Sequence, residues 1–384
     1  MKVLAYRGPG SLVVEERPQP RPGPGEALLK VDACSICGTD VRIANGSHRA
    51  YADALGRVPG HEVVGTVVEV GAGARAAEGE RVFVAPNYGC GRCAACARGQ
   101  VNMCEQPRAI GITEDGGFAE YLLLHKDLVD QGNLLSFNVV TATATGATTA
   151  AGATAAGATT AAGATTAGAA AAPGAATGLD IGTVALAEPL ACALRGSRAC
   201  RIGEGDVVLV YGAGPVGLFH LALARLAGAG AVVVCEPNAD RRLRALAWGA
   251  TSAHDADFDQ LQAALVSAGA PKGANVVIVA APVPAAQAQA LELAGPWGRV
   301  NFFAGLARGH SRVELDSNLV HYKELVVTGT SASTNEECRA ALELIVDGRV
   351  DAGSLVEARF DLASAADAFE LAASGRAMKV LVTP

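Results

Sequence analysis

The sequence predicts an α/β protein with two domains, a β-rich one and one built on a doubly wound parallel sheet. Three observations carry this. Residues 1–135 alternate short β-rich runs with Gly/Pro turns. From residue 181 the pattern becomes apolar strand, helix, strand, helix. Between an apolar strand and a helix of that second part stands Gly212-Ala213-Gly214-Pro215-Val216-Gly217. At 384 residues the chain is long enough for two domains, each with its own core.

In the first part the strand candidates are Ala27–Val31, Val63–Val70, Arg81–Ala85 and Phe118–Leu124, which together read as an all-β unit. Met1-Lys2-Val3-Leu4-Ala5-Tyr6 reads as a first strand rather than a signal peptide, because no long apolar core or cleavage site follows. Residues 141–178 contain only Ala, Thr and Gly apart from Pro173. Each glycine costs a helix about 1 kcal/mol relative to alanine, and no large side chain is present to offset that by packing. The segment 139–178 is therefore expected to be a flexible or poorly structured low-complexity insertion. In the second part, Val207–Tyr211 is a buried-strand run leading into an apolar helix through Leu226 and then the strand Ala231–Glu236. A charged helix from Asn238 to Trp248 follows, with further strands at Asn275–Ala280, Arg299–Phe303 and Leu325–Thr328. Helices near Glu336–Val346 and Ala363–Ala373 and the strand Lys379–Thr383 are expected to return to the first domain. The expected division is thus 1–138 completed by about 335–384, an insertion at 139–178, and a cofactor domain at 181–334.

The bulk numbers narrow the function. A net charge of -7 argues against a nucleic-acid or anionic-membrane surface. Apolar residues make up 50% of the chain, yet no apolar run reaches the roughly 20 residues of a membrane span. A cytoplasmic location is the expectation. Ten cysteines in a chain this long do not make a small disulfide scaffold. Cys34, Cys192, Cys200, Cys235 and Cys338 stand alone and are expected to be small buried apolar residues.

The remaining cysteines carry chemistry. Cys90, Cys93, Cys96 and Cys104 form C-x2-C-x2-C-x7-C, a spacing that can wrap one tetrahedral zinc with Zn–S distances of about 2.3 Å. Such a closed site has no position for substrate and serves structure. Cys37, in Cys37-Gly38-Thr39-Asp40, and His61, in Gly60-His61-Glu62, supply mixed ligands. A thiolate, an imidazole and a carboxylate that leave one position open describe a catalytic zinc site.

Cys34-x-x-Cys37-Gly-Thr-Asp, Gly60-His-Glu, the four-cysteine cluster, Ala187-Glu-Pro-Leu-Ala-Cys-Ala-Leu and the glycine loop occur here in that order. In this the chain resembles the zinc-dependent medium-chain dehydrogenase/reductase family of alcohol, polyol and threonine dehydrogenases. The resemblance covers everything except the Ala/Thr/Gly segment. It implies a GroES-like first domain, a Rossmann second domain, structural zinc on Cys90, Cys93, Cys96 and Cys104, and catalytic zinc on Cys37 and His61. It also implies a third ligand from the segment entering the cofactor domain. Glu188 stands 24 residues before Gly212 and Cys192 only 20, so the family spacing favours Glu188, with Glu62 as an alternative fourth ligand.

The implied chemistry is oxidation of a secondary alcohol, a polyol or sugar alcohol, with hydride passing to NAD. Zinc favours ionisation of the alcohol as it does of bound water, and Thr39 matches the hydroxyl that relays the proton. Relatives often end that relay at a histidine three residues later; here Arg42 stands there and cannot act as a base, leaving His48 as a candidate. Gly212 permits the tight turn, Gly214 lets the backbone approach a pyrophosphate, and Gly217 lets helix and strand pack closely. Pro215 and Val216 complete the loop. Glu236, 24 residues after Gly212, suits the adenosine ribose of NAD and repels the phosphate of NADP. Arg241 and Lys379 are further cofactor candidates. Where some polyol relatives carry an Arg-Tyr pair, this chain has Ser331-Ala332-Ser333. The competing reading is a non-catalytic zinc- and nucleotide-binding relative. A small-molecule alcohol is the expected partner, and the resemblance implies a homodimer or homotetramer.

Overall fold

The computed structural model describes residues 1–51, 53–138, 179–307 and 309–384. The low-complexity segment 139–178 lies outside the described residues. Two sheets dominate. The first has seven strands, with Ala27–Ile36 at its centre, paired antiparallel to Glu62–Val70, Tyr121–Leu124 and Lys379–Thr383. Arg81–Val84 and Leu134–Ser136 extend it on one side and Val356–Asp361 on the other. Register decides what meets: Ser35 lies opposite Glu62, and Ile36 opposite Val380. The C-terminal strand is thereby brought beside a residue far away in sequence.

The second sheet has six parallel strands in the order Ser252–His254, Ala231–Cys235, Val207–Tyr211, Ala274–Val279, Ala294–Phe302, Val326–Gly329. Strand order reverses between Val207–Tyr211 and Ala274–Val279, the switch point at which a doubly wound sheet opens a crevice for a ligand. Val208, Leu209, Val210, Val277 and Ile278 are fully buried, as expected for strands covered by helices on both faces. One apolar core fills one face of this sheet and continues into the first unit through Ala33, Val64, Phe83 and Val184–Leu190.

The β-rich unit contains short helices as well as strands. Gly38–Ala44 is a helix because Cys37 caps it: its thiol accepts from Thr39 N while Asp40 accepts from Cys37 N. Helix Ala187–Ala199, which the sequence reading leaves unassigned, contains Pro189 and Gly196. Its burial against helices Pro215–Leu226 and Asn335–Val346 overrides that poor propensity.

Candidate active site and metal centres

The four cysteines of the lobe converge. Their sulfurs lie within 4.8 Å of one another, with Cys93 Sγ 3.5 Å from Cys96 Sγ and 3.8 Å from Cys104 Sγ. Tetrahedral ligands at the Zn–S bond length stand roughly 3.8 Å apart, so the site has the dimensions of the ion. Backbone N–H groups of Cys90 and Gln106 point at Cys104 Sγ, at 3.2 and 3.3 Å. Hydrogen bonds from the backbone of Cys96 and Glu105 draw the Cys93 thiol down to about 6. Gly89 is required for this tight wrap, since a Cβ there would stand 2.4 Å from Cys96 Sγ.

The second group assembles from three elements. Cys37 begins the short helix, His61 and Glu62 begin the strand Glu62–Val70, and Glu188 sits in the first turn of Ala187–Ala199. Cys37 Sγ is 3.2 Å from His61 Nε2. His61, Glu62 and Glu188 each offer a ligand atom within 4.8 Å of the others, and so do Cys37, Asp40 and His61. All but Cys37 are buried. Burial pulls the His61 imidazole down in pKa, but the charges of Cys37 and Asp40 outweigh it and hold the ring well above its ordinary value. Burial raises the Glu188 carboxyl, as does the nearby charge of Glu62. A pocket that stabilises positive charge at His61 Nε2, lined by sulfur, imidazole and carboxylate, suits a zinc ion by donor chemistry. Among buried atoms without a hydrogen-bond partner are His61 Nδ1 and Asp40 Oδ1, 3.6 Å apart. A carboxylate behind a metal-binding histidine fixes the ring's orientation and tautomer. The sequence reading lists Asp40 only as a polar neighbour of Cys37; its place in the capping box is the signal that could have found it.

Glu62 also faces Lys379. Lys379 Nζ stands 2.7 and 2.5 Å from the two Glu62 oxygens, and both residues are buried. Lys379, a cofactor candidate from sequence, is thus seated in the metal cluster, on the same cleft. Cys192 departs from the expectation of a buried apolar residue: it is only partly buried, and its thiol donates to Glu188 Oε1 at 3.4 Å. Cys34, Cys200, Cys235 and Cys338 are buried.

The glycine loop leaves the strand Val207–Tyr211 and enters helix Pro215–Leu226, with Pro215 in its first turn. Gly212 adopts φ +98°, and a Cβ on Gly217 would lie 1.9 Å from Gly212 O. A Cβ on Gly214 would meet nothing within 4 Å, the open approach that a pyrophosphate needs. Glu236 accepts from Ala213 N at 2.8 Å and Asn238 N at 3.0 Å, which fixes its carboxylate beside the loop. Arg241 reaches Gly375 O at 2.7 Å, and Arg242 reaches Glu236 O and Pro237 O at 2.8 and 2.6 Å.

One cleft of about 750 Å³ joins both sets. Cys37, Thr39, His61, Glu62, Glu188 and Lys379 line it together with Pro215, Val216 and Arg241. Thr39 Oγ1 accepts from Arg42 Nη2 at 3.0 Å, and His48 lines the same space. Ser331 and Ala332 form part of the wall.

Comparison with known proteins agrees with this geometry. Residues 23–131 match the model of the alcohol dehydrogenase GroES-like domain, and residues 215–347 match that of the zinc-binding dehydrogenase. L-galactonate-5-dehydrogenase of Escherichia coli (strain K12) is 30% identical over 371 residues, 96% of this chain and 94% of that protein. Sorbitol dehydrogenase of Halalkalibacterium halodurans is 26% identical over 392 residues, 100% of this chain and 98% of that one. A solved structure described as a zinc-binding dehydrogenase from Sinorhizobium meliloti 1021, bound to NADP, is similar with a TM-score of 0.82 at 32% identity. That match covers 100% of this chain and 99% of the other.

Proposed function

The chain belongs to the zinc-dependent medium-chain dehydrogenase/reductase family, and from that premise we propose that it oxidises a secondary alcohol, a polyol or sugar alcohol, with NAD as hydride acceptor. The observation that carries this reading is the shared cleft. Cys37, His61, Glu62 and Glu188 converge on one wall of it and the loop Gly212–Gly217 opens on another. Residues 1–138 with 335–384 supply most of the metal side, and 181–334 supply the nucleotide side together with Glu188.

Cys37, His61 and Glu188 would hold the catalytic zinc, with Glu62 as the alternative fourth ligand, and Cys90, Cys93, Cys96 and Cys104 would hold the structural one. Bound zinc supplies the Lewis acidity that favours ionisation of the alcohol, and the nicotinamide accepts the hydride. The chain's own residues manage the proton and the geometry. Thr39 Oγ1 takes the proton of the alcohol hydroxyl as it passes its own toward solvent, leaving a carbonyl after hydride departure. Arg42 orients that hydroxyl by donating to its oxygen. The relay ends at His48 or at water in the cleft. Gly212, Gly214, Pro215, Val216 and Gly217 hold the pyrophosphate, with Glu236 and Arg241 at the adenosine end. Lys379 pairs with the Glu62 carboxylate and offsets its charge beside the ligand cluster.

The similar structure from Sinorhizobium meliloti holds NADP. For this chain NAD is favoured, because the Glu236 carboxylate is fixed beside the loop and Arg241 and Arg242 are engaged by backbone carbonyls. A 2′-phosphate would meet the negative charge of the Glu236 carboxylate. A homodimer or homotetramer is supported by the edge strand Val326–Gly329, whose Val326 and Val327 are 41% and 37% exposed. Ten free cysteines, nine of them in metal-ligating clusters or buried, suit a reducing compartment such as the cytoplasm.

Cys37→Ser tests the assignment. Turnover should vanish and bound zinc should fall by about one equivalent, as expected when a site loses a ligand, while circular dichroism stays unchanged. Retained activity would overturn it.

A further inference from the structure

Among the described residues that line the cleft, Arg42 and Arg241 are the guanidinium groups with no carboxylate within ion-pair distance. Lys379 is matched by Glu62 at 2.5 Å. Arg241 is held by the carbonyl of Gly375. Arg42 is different: it is exposed, lines the cleft, and its guanidinium donates to a neutral hydroxyl, Thr39 Oγ1, at 3.0 Å. Among the described residues no carboxylate stands within ion-pair distance of it. A guanidinium has several N–H donors in a planar fork matched to a carboxylate, and only one of these is engaged here.

Its placement is set by the helix. Arg42 follows Thr39 by three residues, so the two side chains lie on one face of Gly38–Ala44. Thr39 in turn follows Cys37, whose sulfur is one of the converging metal ligands. Arg42 therefore lines the same cleft as Thr39, Cys37 and His61. The cofactor's own anion has another seat, the backbone N–H groups and helix N-terminus at Gly212–Gly217.

We propose that Arg42 is a specificity-determining residue that selects an anionic alcohol: the substrate is a hydroxy acid such as an aldonate, whose carboxylate pairs with the guanidinium beside Thr39. This rests on the reading of Cys37, His61 and Glu188 as the reacting centre. It narrows that reading from polyols in general to alcohols that carry a carboxylate.

The test uses matched pairs that differ only in carboxylate against hydroxymethyl: L-galactonate with galactitol, D-gluconate with sorbitol, lactate with propane-1,2-diol. Zinc-loaded protein is assayed with NAD on each, as wild type, Arg42→Gln and Arg42→Lys. In parallel, calorimetry titrates each compound into the protein–NADH complex, and NADH binding is followed by fluorescence. The acid of at least one pair should be preferred by the wild type in KM or in binding. Arg42→Gln should weaken binding of that acid roughly 10- to 100-fold relative to its neutral partner, the scale of a lost charge-assisted hydrogen bond, while NADH affinity stays at the wild-type value. Because Arg42 also touches Thr39, turnover of acid and neutral partner is expected to fall together, and the acid-over-neutral ratio is the readout. Arg42→Lys should retain part of the preference. Equal binding of acid and neutral partner in every pair overturns the proposal. So does an Arg42→Gln defect confined to NADH, which would make the cofactor pyrophosphate the anion recognised. Absence of NAD reduction with every compound, with carboxylate-selective binding intact, would instead sink the broader dehydrogenase reading.

Discussion

Lys379 and Glu62 show what a single residue contributes here. Both are buried, at 4% and 0% exposure, and the ammonium sits between the two carboxylate oxygens. Burial alone would lower the Lys379 pKa, yet the charges of Glu62 and Cys37 outweigh it and hold the group above its ordinary value. Removing the lysine leaves a carboxylate buried without a partner, which costs about 3–5 kcal/mol. Lys379→Met should lose about that much in chemical denaturation, and Lys379→Met with Glu62→Gln should recover most of it. A single variant as stable as wild type would mean that the pair is not desolvated. Cys37, His61 and Glu188 were legible in the sequence as candidates, from residue type and motif order, and the fold gathers them in one cleft. The Lys379–Glu62 pair was not, because its members are 317 residues apart and meet only through strand register. Asp40 was half legible: its identity is plain, but its position behind His61 depends on the turn that Cys37 caps.

At the scale of elements, helix Asn335–Val346 ties three parts of the molecule together. Thr334 and Glu337 form a capping box at its start. Glu337 also pairs with Arg195 at 3.1 Å, on the helix that carries Glu188, and Arg195 donates to Gln100 of the metal lobe at 2.6 Å. Asn102 of the lobe donates to Ser331 O in the cleft wall at 3.0 Å. Burial raises the Glu337 carboxyl, but hydrogen bonds from Thr334 and the charge of Arg195 outweigh it and lower its pKa. A lowered folded pKa gives stability that is complete above the unfolded value, near 4.3 for glutamate, and is lost as pH falls through the folded one. Glu337→Gln should therefore cost about 1–3 kcal/mol at neutral pH, with the difference from wild type narrowing in acid. A gap independent of pH would contradict this. Cys96→Ala should release the lobe's zinc and lower the melting temperature, since a structural zinc contributes folding energy directly; an equally stable variant with unchanged zinc would show that the lobe holds no metal.

The elements themselves were largely readable. Val207–Tyr211 and Lys379–Thr383 coincide with the expected runs, because a buried parallel strand and a final apolar run have few competing conformations. Two misses have physical causes. The strand Ala294–Phe302 begins five residues earlier than its apolar run at Arg299, through Pro296 and Gly298, where neighbouring backbone rather than propensity sets the conformation. Gly38–Ala44 is too short for periodicity and is nucleated by its cap.

At the scale of the whole molecule, function depends on two sheets meeting at one cleft. The seven-stranded sheet places the candidate ligand Glu62, with His61 just before it, through its register, and the six-stranded sheet places the glycine loop at its switch point. The parallel, doubly wound sheet was foreseeable from strand–helix alternation, whereas its strand order comes from the pairing itself. The joint between the two sheets was not foreseeable, since it is made by buried side chains of helix Ala187–Ala199. The exposed edge Val326–Gly329 belongs to this scale too. If this edge makes the proposed contact between copies, Val327→Lys should shift light scattering toward the monomer mass, and an unchanged mass would contradict that contact. The most direct test of zinc-dependent hydride transfer is NAD reduction by the full chain on secondary alcohols, before and after chelation and after zinc is restored. Reduced nicotinamide should accumulate, stop on removal of the metal, and resume on its return. Turnover indifferent to chelation in metal-free protein would contradict the account.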